Sequence, residues 1–595
     1  MIKLIIAIAF ILSTLPLIGE NTKPLYKQAN VAIEDRVEDL IKRMTLTEKL
    51  GQLNQQLPGQ SLNPNNKVER KQIIAATIGS YLHKGIDLTK RNKLQKMTMD
   101  NSRLGIPVIF GEDIIHGCRT LYPIPLGQAA SFNPELVKKA CRMAAAEAQA
   151  MGIDWTFAPM VDVSRDPRWG RIAECYGEDT YLNSVFCKAS VEGFQGKLSD
   201  PKTVAACLKH YVAYGLSEGG RDYKATDVSI RALREVYLPP FKAGIDAGAA
   251  TIMSAFNDIN GIPASCNKFV LTDILRDEWN FDGFVVSDWC AIEQLINHGV
   301  ASNKAEAGAL AINAGVDMDM IDVCYDQLPT MLDKGKVKMG TIDEAVRRIL
   351  RVKFRLGLFE RPYTEKQEKP FLKPEYLEIS RQLARESIVL LKNKNSVLPL
   401  SKNIKSLAVI GPLAKDEENP LGTWRGKAIN SDTVTIFKAL EKRIGKTCEI
   451  NFAHGCNING GNTKGFDQAI KAAKASEAIV VCLGEWWRHT GENGSRSTLK
   501  FLGHQEKLVE ELSKLGKPMV LVMIHGRPIE LNTIEPKVDG ILAAWQPGTQ
   551  GGEAITDILF GDYNPSGKLT VTFPRVTGQI PPYYNHRHSR RPNQV

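Results

Sequence analysis

The sequence predicts an α/β protein built as a TIM-like (β/α) barrel followed by a smaller α/β domain on a mostly parallel sheet. Three observations carry that reading. Apolar runs alternate with helical patterns through the first 360 residues, the mark of parallel strands linked by crossover helices. The runs are near-continuously apolar, which suits strands covered on both faces. A charged, proline-bearing stretch at 361–374, RPYTEKQEKPFLKP, then interrupts the pattern before buried runs resume. A length of 595 residues fits two large domains.

In chain order, residues 1–20 read as a signal peptide: one lysine, an apolar run at 4–12, then small and polar residues. The run is shorter than the roughly 20 residues a membrane span needs, and no other segment is apolar enough to cross a bilayer. The lipid-anchored alternative lacks its acceptor, because no cysteine follows the run. An exported protein, periplasmic or secreted, with no membrane span after signal removal is expected. The barrel is assigned to 30–360, with candidate strands at 107–110, 155–163, 204–211, 251–256, 283–287 and 315–320. A helix between the first two is signalled by Asn133 as cap, Pro134 in the first turn, helically spaced Leu136, Ala140, Met143, Ala144 and Glu147, and a stop at Gly152.

Polar residues gather where these strands end: Glu112, Asp113, Asp162, Lys209, His210, Asn257 and Asp288. Each alone reads as well as the cap of the next helix; together they mark the carboxyl face of a barrel, where active sites sit. A linker is assigned to 361–380, with helical periodicity at 376–391. The second domain covers 381–574, with strands at 407–410, 478–483, 519–524 and 540–545, and 561–574 reads as an edge hairpin. The tail, 575–595, is polar and basic, with nothing that reads as a finished domain.

Composition excludes several classes. Hydrophobic residues make up 43% of the chain, enough for real cores, and the net charge of +10 is scattered among acids with no basic stripe, so no nucleic-acid partner is expected. The 11 cysteines include no CxxC pair and several sit inside apolar runs; they read as small buried hydrophobes without a disulfide framework. No His/Asp/Glu grouping has metal-ligand spacing and no glycine-rich nucleotide loop occurs, so no cofactor is expected.

Asp288 is the first candidate for chemistry. GFVVSDW (283–289) delivers its carboxylate directly off a buried run, a rigid seat suited to a reacting group; on spacing alone, capping a helix over 291–297 is the commoner role for such a residue. Longer blocks surround it: FGEDIIHG (110–117), APMVDVSRDPRWGR (158–171), ECYGEDTYL (174–182), LKHYVAYG (208–215) and GDYNPSGKL (561–569). In this order, from about Val37 to about Tyr584, the sequence resembles glycoside hydrolase family 3, and most of all the periplasmic β-glucosidases of Gram-negative bacteria.

The resemblance implies a barrel followed by an α/β sandwich, Asp288 as nucleophile, and an acid/base from the second domain. Retaining glycosidases need two such carboxyl groups about the scissile bond. Within GEWWRHTGENGSRSTLKFLGHQ (484–505) the family pattern of Glu shortly before Arg fits Glu492 with Arg496; Glu485, at the end of the preceding strand, is the rival. By the same resemblance Asp113, Arg171, Lys209, His210 and Arg221 would hold the innermost sugar, and Met253, Phe256 and Trp289 would wall it. Relatives often have Tyr where Phe256 stands, so a hydroxyl beside the nucleophile is missing. Trp486, Trp487 and His489 could form a sugar-stacking wall or simply pack. One subgroup takes its acid/base from a barrel-loop His after a KHFPGHG-like motif; LKHYVAYG lacks it. The resemblance therefore implies a retaining exo-β-glucosidase acting on terminal β-D-glucosyl residues of oligosaccharides or β-glucans. A β-xylosidase or arabinosidase is the alternative, disfavoured because relatives of that kind tend to carry Glu at the Asp113 position; a catalytically silent carbohydrate-binding protein is the remote one. A homodimer is allowed but not required.

Overall fold

The computed structural model describes residues 23–58, 71 and 76–587; the expected signal peptide and the end of the tail lie outside them. Eight parallel strands close a barrel. They are β1 (Asn54–Gln56), β2 (Ser80–Leu82), β3 (Ile109–Glu112), β4 (Trp155–Thr156), β5 (Cys207–Tyr211), β6 (Thr251–Ser254) and, after a short hairpin β7 (Asp258–Ile259) and β8 (Ile262–Pro263), β9 (Phe284–Val286) and β10 (Asp319–Met320). Pairing runs β10-β1-β2-β3-β4 and β5-β6-β9, and parallel bridges Trp155–Ala205 and Val286–Met318 close the two gaps. Most of the strands are shorter than the apolar runs that announce them, and β1 and β2 fall outside every run. β1 reads Asn-Gln-Gln and is nonetheless buried or half-buried, with Gln55 Nε2 donating to Ser80 Oγ at 2.9 Å.

The barrel interior is filled. Trp155 stands edge-on to Phe157 and Phe284, at 4.8 and 5.1 Å between ring centres, and its Nε1 donates to Thr251 Oγ1 at 2.8 Å. At the amino-terminal end, helix Met339–Arg355 inserts Lys353, whose ammonium is satisfied by Gln52 Oε1, Gly79 O and Pro107 O at 2.7–2.8 Å. Burial pushes that ammonium down to about 7. Stabilising polarity thus sits at one end and the strand-end polar set at the other. Helix Pro134–Ala150 forms as expected, with the Asn133 side chain accepting from Leu136 N at 3.1 Å.

The second domain is a six-stranded sheet ordered β11-β16-β15-β14-β12-β13, comprising β11 (Val389–Asn393), β12 (Ser406–Ile410), β13 (Glu449–Ala453), β14 (Ala478–Gly484), β15 (Met519–Ile524) and β16 (Gly540–Ala543). Only β11 runs antiparallel. Alternate residues feed opposite cores: Val480 and Cys482 pack towards helices Ile436–Ile444 and Gly551–Leu559, and Ile479, Val481 and Leu483 towards Phe466–Lys474 and Gln505–Ser513. This is an α/β sandwich with both sheet faces covered. The helix expected over 376–391 is Pro374–Ser387, and its last residues become β11 instead.

The edge hairpin expected at 561–574 does not form. That segment is an irregular strap whose backbone bonds go elsewhere: Gly567 N to Ile388 O, Lys568 N to Ala130 O, and Glu178 N to Thr570 O. The cost of unpaired backbone groups is met by the barrel surface and the end of helix Pro374–Ser387 rather than by a self-paired ribbon. All eleven cysteines are unpaired thiols, nine of them buried. Among the described residues no helix is long and apolar enough to cross a membrane.

Candidate active site

Asp288 leaves the end of β9 on a pinned backbone: Ser287 N donates to Met318 O and Ser287 Oγ accepts from Met320 N, both at 2.9 Å. The helix-cap alternative is excluded, because Asp322 Oδ2 takes the amides of Ile292 and Glu293 at 2.9 and 3.0 Å, ahead of a helix that spans only Gln294–Asn297. Asp288 Oδ1 accepts from Trp289 N at 2.7 Å. Its Oδ2 is buried without a hydrogen-bond partner and lies 3.5 Å from His210 Nε2, which is equally unpartnered.

The neighbouring strand ends supply a polar ring around that pair. Lys209 Nζ donates to Asp113 Oδ1 at 2.6 Å. His210 donates its backbone amide to Asp162 Oδ2 at 2.9 Å, and its Nδ1 meets the same oxygen at 3.0 Å. Burial, with Arg171 and Lys209 adding to it, holds the imidazole well below its usual value, so the ring is neutral. With Nδ1–H assigned to Asp162 by this network, Nε2 is left as an acceptor facing Asp288. Arg171 is fixed by a bidentate pair with Glu174, both contacts at 3.0 Å, and its free nitrogen lies 4.0 Å from Glu492 Oε1. Burial, then the Glu492 carboxylate, push the Asp288 carboxyl up to about 7, against Arg171 and Lys209, which lower it. Opposed influences of this kind gather at sites where charge is used.

Glu492 and Glu485 have opposite surroundings. Glu485 is 2% exposed and already occupied by Arg496 at 2.6 Å, Arg527 at 3.1 Å and Gly526 N at 3.3 Å. Arg496 therefore pairs with Glu485, not with Glu492. Glu492 is partly exposed beside Arg171, with Tyr223 OH donating to its Oε1 at 2.6 Å.

Of the other residues expected here, Met253 and Phe256 are buried, Phe256 edge-on to Tyr223 at 5.1 Å. Trp289 is 40% exposed at the rim, with Lys84 Nζ 5.8 Å from its ring centre. Arg221 is not brought into the cluster: it is exposed and paired with Glu218 at 3.0 Å. Trp487 is flanked by Arg425 and Arg488, at 4.4 and 5.0 Å from its ring centre, and Trp486 stands edge-on to His489. Sequence reasoning missed Glu174, Asp222, Tyr223, Trp424 and Lys427. Trp424 brings its ring centre to 5.4 Å from Lys209 Nζ; Lys427 reaches from the second domain to the Glu112 carboxylate and to His83 O. RDYK (221–224) and TWRGK (423–427) look like ordinary polar loops, and only their position across the domain boundary distinguishes them. Among the described residues no group of His, Cys, Asp and Glu could hold a metal ion.

Comparison with known proteins finds relatives over nearly the whole chain. Residues 45–352 match the glycosyl hydrolase family 3 N terminal domain and 388–595 the family 3 C-terminal domain. A periplasmic beta-glucosidase of Salmonella typhimurium is 40% identical over 99% of this chain and 80% of its own length. A beta-xylosidase of Formosa agariphila is 40% identical over 84% of this chain and 74% of its own. The crystal structure of a beta-glucosidase from Listeria innocua in complex with glucose superposes with a TM-score of 0.89 at 38% identity, covering 94% of this chain and 79% of that one. With two family models spanning both domains and relatives of this identity, the chain belongs to glycosyl hydrolase family 3.

Proposed function

We propose that this protein is a retaining exo-β-glucosidase that removes terminal non-reducing β-D-glucosyl residues from oligosaccharides or β-glucans. The observation that carries the reading is the unpartnered Oδ2 of Asp288, held at a strand end with fixed cations beside it and a second carboxylate, Glu492, delivered from the other domain. Asp288 attacks the anomeric carbon while Glu492 protonates the departing oxygen. Glu492 then takes a proton from water, which breaks the glycosyl–Asp288 ester with a second inversion. Asp113 with Lys209, Arg171 and the His210 Nε2 acceptor offer partners for sugar hydroxyls, and Trp289 offers an apolar face at the rim.

Pentosidase activity is the second reading, supported by the Formosa beta-xylosidase, which is also 40% identical but over 84% rather than 99% of this chain. Asp113 argues for a hexose, since a longer Glu there would crowd the hydroxymethyl group at C6. The apolar run at 4–12 and the periplasmic relative support export. A panel of nitrophenyl glycosides tests the substrate, with NMR of the first-formed product for stereochemistry. The β-glucoside should be the best substrate and give the β-anomer first. Preference for xyloside or arabinofuranoside would install the second reading, and the α-anomer first would overturn the double displacement.

A further inference from the structure

The turn that carries Glu492 belongs to the second domain, yet one barrel loop holds it at both ends. Asp222, 9% exposed, accepts from Asn493 N through Oδ2 at 2.9 Å. Its Oδ1 accepts from Trp169 Nε1 at 2.9 Å and from Tyr214 OH. The Asp222 amide in turn donates to Ser495 Oγ at 3.0 Å. The next residue, Tyr223, has its backbone in the left-handed region (φ +63°) and directs its hydroxyl to Glu492 Oε1 at 2.6 Å. Two consecutive barrel residues therefore touch three of the four residues 492–495, with a buried carboxylate anchored on two barrel aromatics.

We infer that Asp222 and Tyr223 form a clasp that positions Glu492 for proton transfer, so that acid/base function depends on barrel residues outside the assigned site. Asp222 is the anchor: both carboxylate oxygens are used, one on the barrel and one on the turn. Tyr223 sets the side-chain direction by donating to Oε1, leaving Oε2 to meet the leaving oxygen or water. The inference rests on Glu492 being the acid/base. It separates two steps, because Asp288 is seated independently of the clasp.

The test is Tyr223→Phe, which removes one oxygen from a half-buried ring, compared on a disaccharide and on a dinitrophenyl glucoside. Loss of one hydrogen bond to a charged group predicts a kcat/KM decrease of about tenfold on the disaccharide, and a much smaller one on dinitrophenolate, which needs no proton to leave. Asp222→Asn should show the same leaving-group dependence, more strongly, while a 2-deoxy-2-fluoroglucoside with a good leaving group still labels Asp288 at near the wild-type rate. Equal losses on both substrates, or no loss on either, would overturn the clasp. Glu492→Ala run alongside keeps the failures apart. Azide rescue there with uniform losses in Tyr223→Phe refutes the clasp alone; no azide rescue refutes the acid/base assignment and the clasp with it.

Discussion

Asp288 and Glu492 reach the same site from seats of different construction. Asp288 is two residues beyond a three-residue strand whose side chains are fully buried, and Ser287 ties it to the next strand on both backbone and side chain. Its position follows from the closure of the barrel. Glu492 sits on a turn with no regular structure, after the short 3₁₀ segment Trp487–His489. Long-range polar contacts fix that turn: Gly491 N donates to Gly170 O at 2.7 Å, Arg496 N to Arg168 O at 3.0 Å, and Arg527, fully buried, bonds Arg168 O and Gly494 O at once. Gly491 has φ +78°, and a Cβ there would fall 2.2 Å from Thr423 Oγ1, so only glycine lets the turn approach this closely. A carboxylate on a strand end is placed by the local fold; one on a turn between domains is placed by the interface. The second arrangement lets a single carboxylate be oriented by both bodies, at the cost of depending on both.

Four measurements would break or sharpen this contrast. The largest effect is expected for Asp288→Ala: turnover should fall by roughly 10⁴-fold or more, the scale of removing a nucleophile, while circular dichroism stays native. Mass spectrometry of the fluoroglucoside-trapped wild type should place the label on Asp288, and a label elsewhere refutes the assignment. Next, Glu492→Ala should cost about 10²–10⁴-fold on substrates with poor leaving groups. On a dinitrophenyl glucoside it should give a burst and slow steady state, with azide restoring turnover and yielding a β-glycosyl azide. The same rescue in Glu485→Ala instead would reverse the roles, against the saturated surroundings of Glu485.

Third, Asp113→Glu adds one methylene where C6 of a hexose is expected. Glucosides should lose about 10–200-fold in kcat/KM relative to xylosides, the range one methylene commands in a fitted pocket; equal losses remove Asp113 from specificity. The smallest effect concerns coupling between the domains. Asp288 must be ionised to attack, and its carboxyl is pushed up to about 7 by burial and by Glu492. The acid limb of kcat/KM should therefore lie well above the usual carboxylate range, with activity falling as pH drops through it. Glu492→Gln removes one of the raising charges, so on a dinitrophenyl glucoside the limb should move to lower pH, on the order of one unit. An unmoved limb would mean that the carboxylates do not sense each other.

The barrel and the sandwich were legible because buried parallel strands write themselves as continuous apolar runs, as at 204–211 and 478–483. β1 was not, because its side chains are polar and find partners on distant segments, Asn54 on Asp326 and Gln55 on Ser80, so it carries no apolar signature. The 561–574 strap read as a hairpin because its turn residues and alternating pattern are those of a ribbon, while its actual partners, Ile388, Ala130 and Glu178, are far away in sequence. Asp113, Asp162, Lys209, His210 and Asp288 could be placed on one face from strand ends alone, since barrel geometry brings strand ends together. Arg221, by contrast, was one residue from the relevant contacts: Asp222 and Tyr223 face the turn, and Arg221 turns to solvent and Glu218.

The sequence by itself determined the fold class, the family and the strand-end cluster, because each depends on local pattern repeated along the chain. Only the tertiary structure showed Glu485 saturated and Glu492 open beside Arg171, brought Asp222 and Tyr223 against residues 492–495, and freed Asp288 from helix capping by giving that task to Asp322. Those outcomes turn on which donors fill which oxygens, and the donors come from distant segments, 269 residues apart in the case of Tyr223 and Glu492. No local pattern encodes that, because a carboxylate's role is set by what is left unsatisfied once the chain has packed.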